Sequence, residues 1–167
     1  MWVWMVACHK AEPAPVPVPV APAPVAPVAP VPAAPATPEG DLDAMFKALS
    51  AYDGEPACAD VEALTAQPVP ALLELVRTVK MPPTVPMRAA GCLVDRHAVE
   101  AAGELEGWMG SAEALGLARL VADKIDALPP DLAVRLARAG AAGPNATDLG
   151  PRLARSARPE VRAVVGP

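Results

Sequence analysis

The sequence predicts an all-α fold, short helices stacked in pairs behind a disordered N-terminal tract rich in Pro, Ala and Val. Three observations carry this. Apolar residues recur at helical spacing in successive stretches from residue 41 onward, the pattern of amphipathic helices. Pro and Gly joints separate those stretches at short intervals. Aromatics are scarce in the 167 residues (three Trp, one Tyr, one Phe), so a core must be built from Ala, Leu and Val. Strands favour aromatic and β-branched residues and avoid Ala, which argues against a β-sandwich.

The first helix is predicted over 41–52, with Leu42, Met45, Phe46 and Leu49 on one stripe and Asp41 able to cap it. A second covers 57–66 (Cys58, Val61, Leu64). A third covers 69–79 (Leu72, Leu73, Val76, Val79), with Pro70 in its first turn, where a missing N–H costs little. Met81-Pro82-Pro83 breaks the chain. The fourth helix, 85–96, turns Ala89, Cys92 and Leu93 inward. The fifth is Ala/Glu-rich and runs over 98–109 with Leu105, Trp108 and Met109. Ser111 caps a sixth that continues to Leu128, where Pro129-Pro130 ends it. A seventh covers 131–139, and after a Gly/Pro/Asn/Asp loop two short helices, 146–157 and 160–165, finish the chain. Residues 41–165 are thus expected to form a helical domain.

A weak periodicity runs through it. Met87-Arg88-Ala89, Ala118-Arg119-Leu120 and Val161-Arg162-Ala163 repeat one order, with the arginines 31 and 43 residues apart. The stretches 82–95 and 159–165 look like the second helix of a HEAT repeat, in which Pro or Asp precedes Val-Arg and a small-residue stripe. The resemblance covers about 68–165 and implies a HEAT/armadillo-like α-solenoid, whose helix pairs recur every 40 residues or so. Arg88, Arg119 and Arg162 are then either ordinary surface charges or repeat-structural residues, bonding across to a neighbouring acid or loop carbonyl.

Residues 1–10 begin Met-Trp-Val-Trp-Met-Val-Ala-Cys, apolar up to Lys10. Met5-Val6-Ala7-Cys8 resembles the lipobox of bacterial lipoproteins, here behind a truncated signal. The resemblance implies lipidation of Cys8 and a membrane partner reached through the lipid anchor; stable anchoring takes two or more acyl chains. Residues 11–40 form a linker. Eleven of the 23 prolines fall in 11–38, where each fixes φ and keeps its predecessor out of the helical region. The tract is expected to be polyproline II, able to reach roughly 87 Å at about 3.1 Å per residue. A spacer holding a domain off a lipid surface is one reading and a ligand for a proline-binding module the other.

With Cys8 lipidated, two thiols remain in an oxidising compartment, which argues for a Cys58–Cys92 disulfide rather than two buried free thiols. Charge is uneven. Residues 39–130 carry 7 basic and 15 acidic side chains, and residues 131–167 carry 6 Arg and 3 acids. The overall balance of 14 basic to 19 acidic residues argues against nucleic acid as a partner. Arg152, Arg155 and Arg158, at three-residue spacing, are expected on one face of a short helix, as a solvated face or as a contact to a partner or anion.

Catalytic motifs are sparse. His97, near Asp95 and Glu100, has no second His in the fold to join it as a metal ligand, and no P-loop, G-x-G-x-x-G, C-x-x-C or G-x-S-x-G occurs. The sequence predicts no catalytic or metal site and no cofactor. It points to a lipid-anchored scaffold or protein-binding module facing the periplasm, on the outer or the inner membrane. A cytosolic HEAT-like adaptor with a proline-rich arm is the alternative, and a small hydrolytic enzyme using His97, Asp95 and Glu100 the more distant one.

Overall fold

The computed structural model describes residues 39–51, 54 and 56–166. The lipobox-like segment with Cys8 and the tract over 11–38 lie outside them. The elements run α1 (Glu39–Leu49), α2 (Cys58–Glu62), α3 (Pro68–Thr78), α4 (Thr84–Arg96), α5 (Ala102–Gly110), α6 (Leu115–Asp123), α7 (Pro130–Ala142), α8 (Ala146–Leu153) and α9 (Pro159–Val165). Single 3₁₀ turns flank α6 at Ala112–Ala114 and Ile125–Ala127. Among the described residues the fold is entirely helical.

Helix α4 packs on α3, α1 and α6, and α6 packs on α8. Helices α5, α7 and α9 form a second succession, each against the next. The core between them is aliphatic and small. Leu72, Leu93, Leu105, Met109, Leu136, Leu149 and Leu153 are fully buried, with Ala71, Ala89, Ala90, Ala118, Ala133 and Ala137 among them. Alanines at these positions let helix axes approach closely, which compensates for the missing aromatics. The same tightness explains Gly143, where a Cβ would lie 3.0 Å from the carbonyl oxygen of Ala139 and 3.1 Å from that of Met109.

Several boundaries differ from the sequence reading: α2 ends at Glu62 rather than 66, α7 runs on to Ala142 rather than 139, α8 ends at Leu153 rather than 157, and three further differences have visible causes. Helix α1 begins at Glu39, inside the expected linker, and stops at Leu49, where Arg88 takes the carbonyl groups of Leu49 and Ala51 (2.7 Å each). Helix α5 starts at Ala102 rather than at 98. Residues 98–101 form a turn that buries Ala98 and Ala101, and an Ala-rich stretch carries no periodic mark to reveal such a turn. The expected long sixth helix is divided. Ser111 caps the 3₁₀ turn by accepting from the Glu113 N–H (3.3 Å), and a second 3₁₀ turn follows Lys124. That tightening places the Asp126 side chain and the carbonyl groups of Asp126 and Leu128 against the segment joining α8 and α9.

The helix starts recur regularly. Helices α5, α7 and α9 begin at Ala102, Pro130 and Pro159, 28 and 29 residues apart. Lys124 bonds Asp95 and Arg152 bonds Asp123, each across 29 residues. This interval is shorter than the 31 and 43 residues that separate Arg88, Arg119 and Arg162.

Candidate functional site

Cys58 opens α2 and Cys92 lies in the buried part of α4. The two form a disulfide with their Cα atoms 5.3 Å apart. Next to it, Glu62 at the end of α2 accepts from Nε of Arg96 with both oxygens (2.9 and 2.8 Å). Oε1 of Glu62 also lies 3.1 Å from Nε2 of His97. The segment α2 is therefore tied to the end of α4 by one covalent and one ionic link.

His97 lines a depression of about 200 Å³ together with Asp95, Arg96, Glu100, Leu128 and Pro129. Nδ1 of His97 is 3.7 Å from Oε2 of Glu100, beyond hydrogen-bond reach. Nε2 is buried and, although 3.1 Å from Oε1 of Glu62, makes no aligned hydrogen bond among the described residues. Asp95 is taken by Lys124 (2.6 Å). The carboxylate nearest His97 is thus Glu62, which lies 35 residues away and which local sequence did not mark. Among the described residues no Ser, Thr or Cys lines this depression, so they place no hydroxyl or thiol nucleophile beside the imidazole. Among the described residues no group of three or more His, Cys, Asp and Glu converges as metal ligands.

The arginines hold the body together from within. Arg88 donates to the carbonyl groups of Leu49, the last residue of α1, and of Ala51 just beyond it. Arg119 grips Asp148 with Nε (2.8 Å, to Oδ1) and Nη2, which fastens α6 to the first turn of α8. Nη1 of Arg162 donates to the Ser156 carbonyl (2.7 Å). Arg152, Arg155 and Arg158 do not share a helix face. Helix α8 ends at Leu153, so Arg155 lies in the turn after it and Arg158 just ahead of α9. Arg152 is engaged by Asp123 (2.6 Å). Arg158 is engaged by the carbonyl groups of Asp126 (2.8 Å) and Leu128 (2.6 Å). Arg155 lies exposed on the wall of a depression of about 140 Å³ with Asp123, Asp126 and Ser156.

Asp126 is the acid at the centre of this end of the molecule. It accepts the Ala157 N–H (2.8 Å) and the hydroxyl of the buried Ser156. The Ala157 N–H first, the Ser156 hydroxyl next and the nearby Arg158 charge hold its carboxyl below the usual range. The hydrogen bond from Arg119 does the same for Asp148, and Asp148 in turn raises the Arg119 guanidinium. Both depressed carboxyls stabilise the folded chain fully above their unfolded value of about 3.9, and that contribution is lost as pH falls through the folded values. Thermal melts followed by circular dichroism from pH 7 to pH 2 are therefore expected to show a loss that sets in below about pH 4. Asp126→Asn should melt lower at pH 7 and lose less on acidification. An acid slope equal to that of the parent would remove Asp126 from the explanation.

Two further depressions lie along α4 and α6. One, of about 270 Å³, is lined by Val76, Val79, Lys80, Pro83, Pro86, Met87, Glu113, Gly116 and Leu117. The other, of about 220 Å³, is lined by Thr84, Met87, Arg88, Gly91, Leu120 and Lys124. Sequence reasoning missed this face, because the helix stripe it followed marks what is buried and not what stays open. No helix among the described residues is long and apolar enough to cross a membrane. No protein-family model, curated protein or solved structure matches the chain.

Proposed function

We propose that this chain is a lipid-anchored protein of the bacterial envelope, facing the periplasm, whose helical body works as a non-catalytic scaffold or protein-binding module. The observation that carries the reading is the Cys58–Cys92 disulfide. Structural disulfides persist in oxidising compartments and are rare in the cytosol. The bond uses the two cysteines of the helical body, and the remaining one of the three is Cys8 in the lipobox-like Met5-Val6-Ala7-Cys8. A proline-rich spacer next to an anchor, with a helical body beyond it, is consistent with a module that works at a distance from the bilayer.

The body is read as a short HEAT-like α-solenoid. The successions α4–α6–α8 and α5–α7–α9 support this, with helix starts 28 and 29 residues apart in the second series, shorter than the roughly 40 residues of HEAT repeats. Such stacks present extended surfaces to partners. The bonds of Arg88 to the end of α1, of Arg119 to α8 and of Arg162 to the loop carbonyl of Ser156 fit a repeat-structural role.

Intact mass of the protein from membrane and soluble fractions tests the anchor. A chain that starts at Cys8 with added acyl mass is expected in the membrane fraction, with a gain of about 2 Da on reduction for the one disulfide. A soluble chain that retains Met1 and carries reduced thiols would overturn the envelope reading and favour a cytosolic adaptor.

A further inference from the structure

Helix α2 lies along α4 in register. Cys58 and Glu62 stand one turn apart on α2, and their partners Cys92 and Arg96 stand one turn apart on α4. The two helices are thus joined at successive turns and run in the same direction. Little else anchors α2. A helix of five residues is unstable by itself, and only Val61 of this one is buried. Ala59 and Asp60 are exposed, as are Ala63 and Leu64 just beyond. No side chain caps its first turn.

The rest of the body is held without it. Helix α4 keeps its packing on α3, α1 and α6 and its pair from Asp95 to Lys124. The next pair along, Asp123 with Arg152, also leaves α2 out. The two sulfurs differ in access. Cys92 is 3% exposed, whereas Cys58, at the start of α2, is only half-buried. Thiol exchange needs a path to one sulfur of the bond, and Cys58 gives it.

We propose that α2 is a strap released by thiol exchange: a dithiol reductant opens the Cys58–Cys92 bond, α2 leaves α4, and the surface it covers on α1 and α4 is bared while α3 to α9 stay folded. A thiolate of the reductant attacks Sγ of Cys58. The protein S–S bond breaks as the new one forms, and Cys92 leaves as a thiolate and takes up a proton. The second thiol of the reductant then displaces Cys58, so two electrons pass to the protein and the reductant closes into its own disulfide. Reoxidation docks the strap again. This goes beyond the scaffold reading and does not depend on the anchor.

The full chain, kept under native conditions and treated with dithiothreitol, tests it by hydrogen exchange read by mass spectrometry. Exchange over residues 58–62 is expected to rise by at least about tenfold, while far-UV circular dichroism stays that of a folded helical body. Glutathione disulfide should then restore the protection. With glutathione as a monothiol probe, the mixed disulfide trapped in the helical body should map to Cys58. A bond that yields only once denaturant has unfolded the body would overturn the strap. So would unchanged exchange over 58–62 after reduction, loss of the helical signal on reduction, or a mixed disulfide at Cys92. Each of these outcomes leaves the intact-mass test of the anchor untouched.

Discussion

Removing the disulfide, as the pair Cys58→Ala and Cys92→Ala, is expected to lower the unfolding free energy by about 3 to 4 kcal/mol, the chain-entropy value for a closed loop of this length. The cysteines are 34 residues apart. Little else would hold α2. It has five residues, of which only Val61 is buried. Its ionic link from Glu62 to Arg96 involves an arginine that is half exposed, and pairs of that kind contribute about 0 to 1 kcal/mol. A drop of the melting temperature on the order of 10 °C follows for a body of this size. Reducing the parent protein should give a similar shift, which separates loss of the bond from loss of the Cys92 side chain in the core. Hydrogen exchange at residues 58–62 should rise first. A loss below about 1 kcal/mol by denaturant titration would mean that α2 is secured by packing instead.

Leu149→Ala is expected to cost about 2 to 5 kcal/mol, the range for emptying a buried leucine site. The effect should fall in the upper half of that range for a local reason. Helix α8 has eight residues, contains Pro151, and buries only Leu149 and Leu153. Leu149 lies against the space above Gly140, where Met109 also reaches, so its loss opens a void between α7 and α8. Asp148 and Arg152 belong to the same helix and fasten it to α6. When α8 loosens, Arg119 and Asp123 lose those partners. Denaturant unfolding followed by tryptophan fluorescence and by circular dichroism should show the lowered midpoint. Hydrogen exchange should place the extra opening at residues 146–165. A cost under about 1 kcal/mol would mean that the site collapses around the smaller side chain.

Most of the helices were readable in the chain. The stripes at Leu42, Met45 and Leu49 and at Leu72, Leu73 and Val76 obey the 3.6-residue period. Pro and Gly mark their ends because each restricts the backbone locally. The Cys58–Cys92 pairing was also legible, by counting cysteines. Ends set by distant partners were not. Arg88 closes α1 from 39 residues away. Asp126, drawn to the α8–α9 turn, accompanies a 3₁₀ turn where periodicity predicts one continuous helix.

Sequence alone determined the helical class and marked most helix ends, and with Cys8 set aside it pointed to the pairing of the other two cysteines, because these follow from period, local restriction and count. Tertiary structure alone decided which carboxylate each arginine meets and that Glu62 stands beside His97. It also decided that Arg152, Arg155 and Arg158 do not share a helix face, and that open depressions lie along α4 and α6. These are relations between helices about 30 residues apart. The side-chain pattern of one helix states which face is buried, but the register of its neighbour determines what that face and its rim meet.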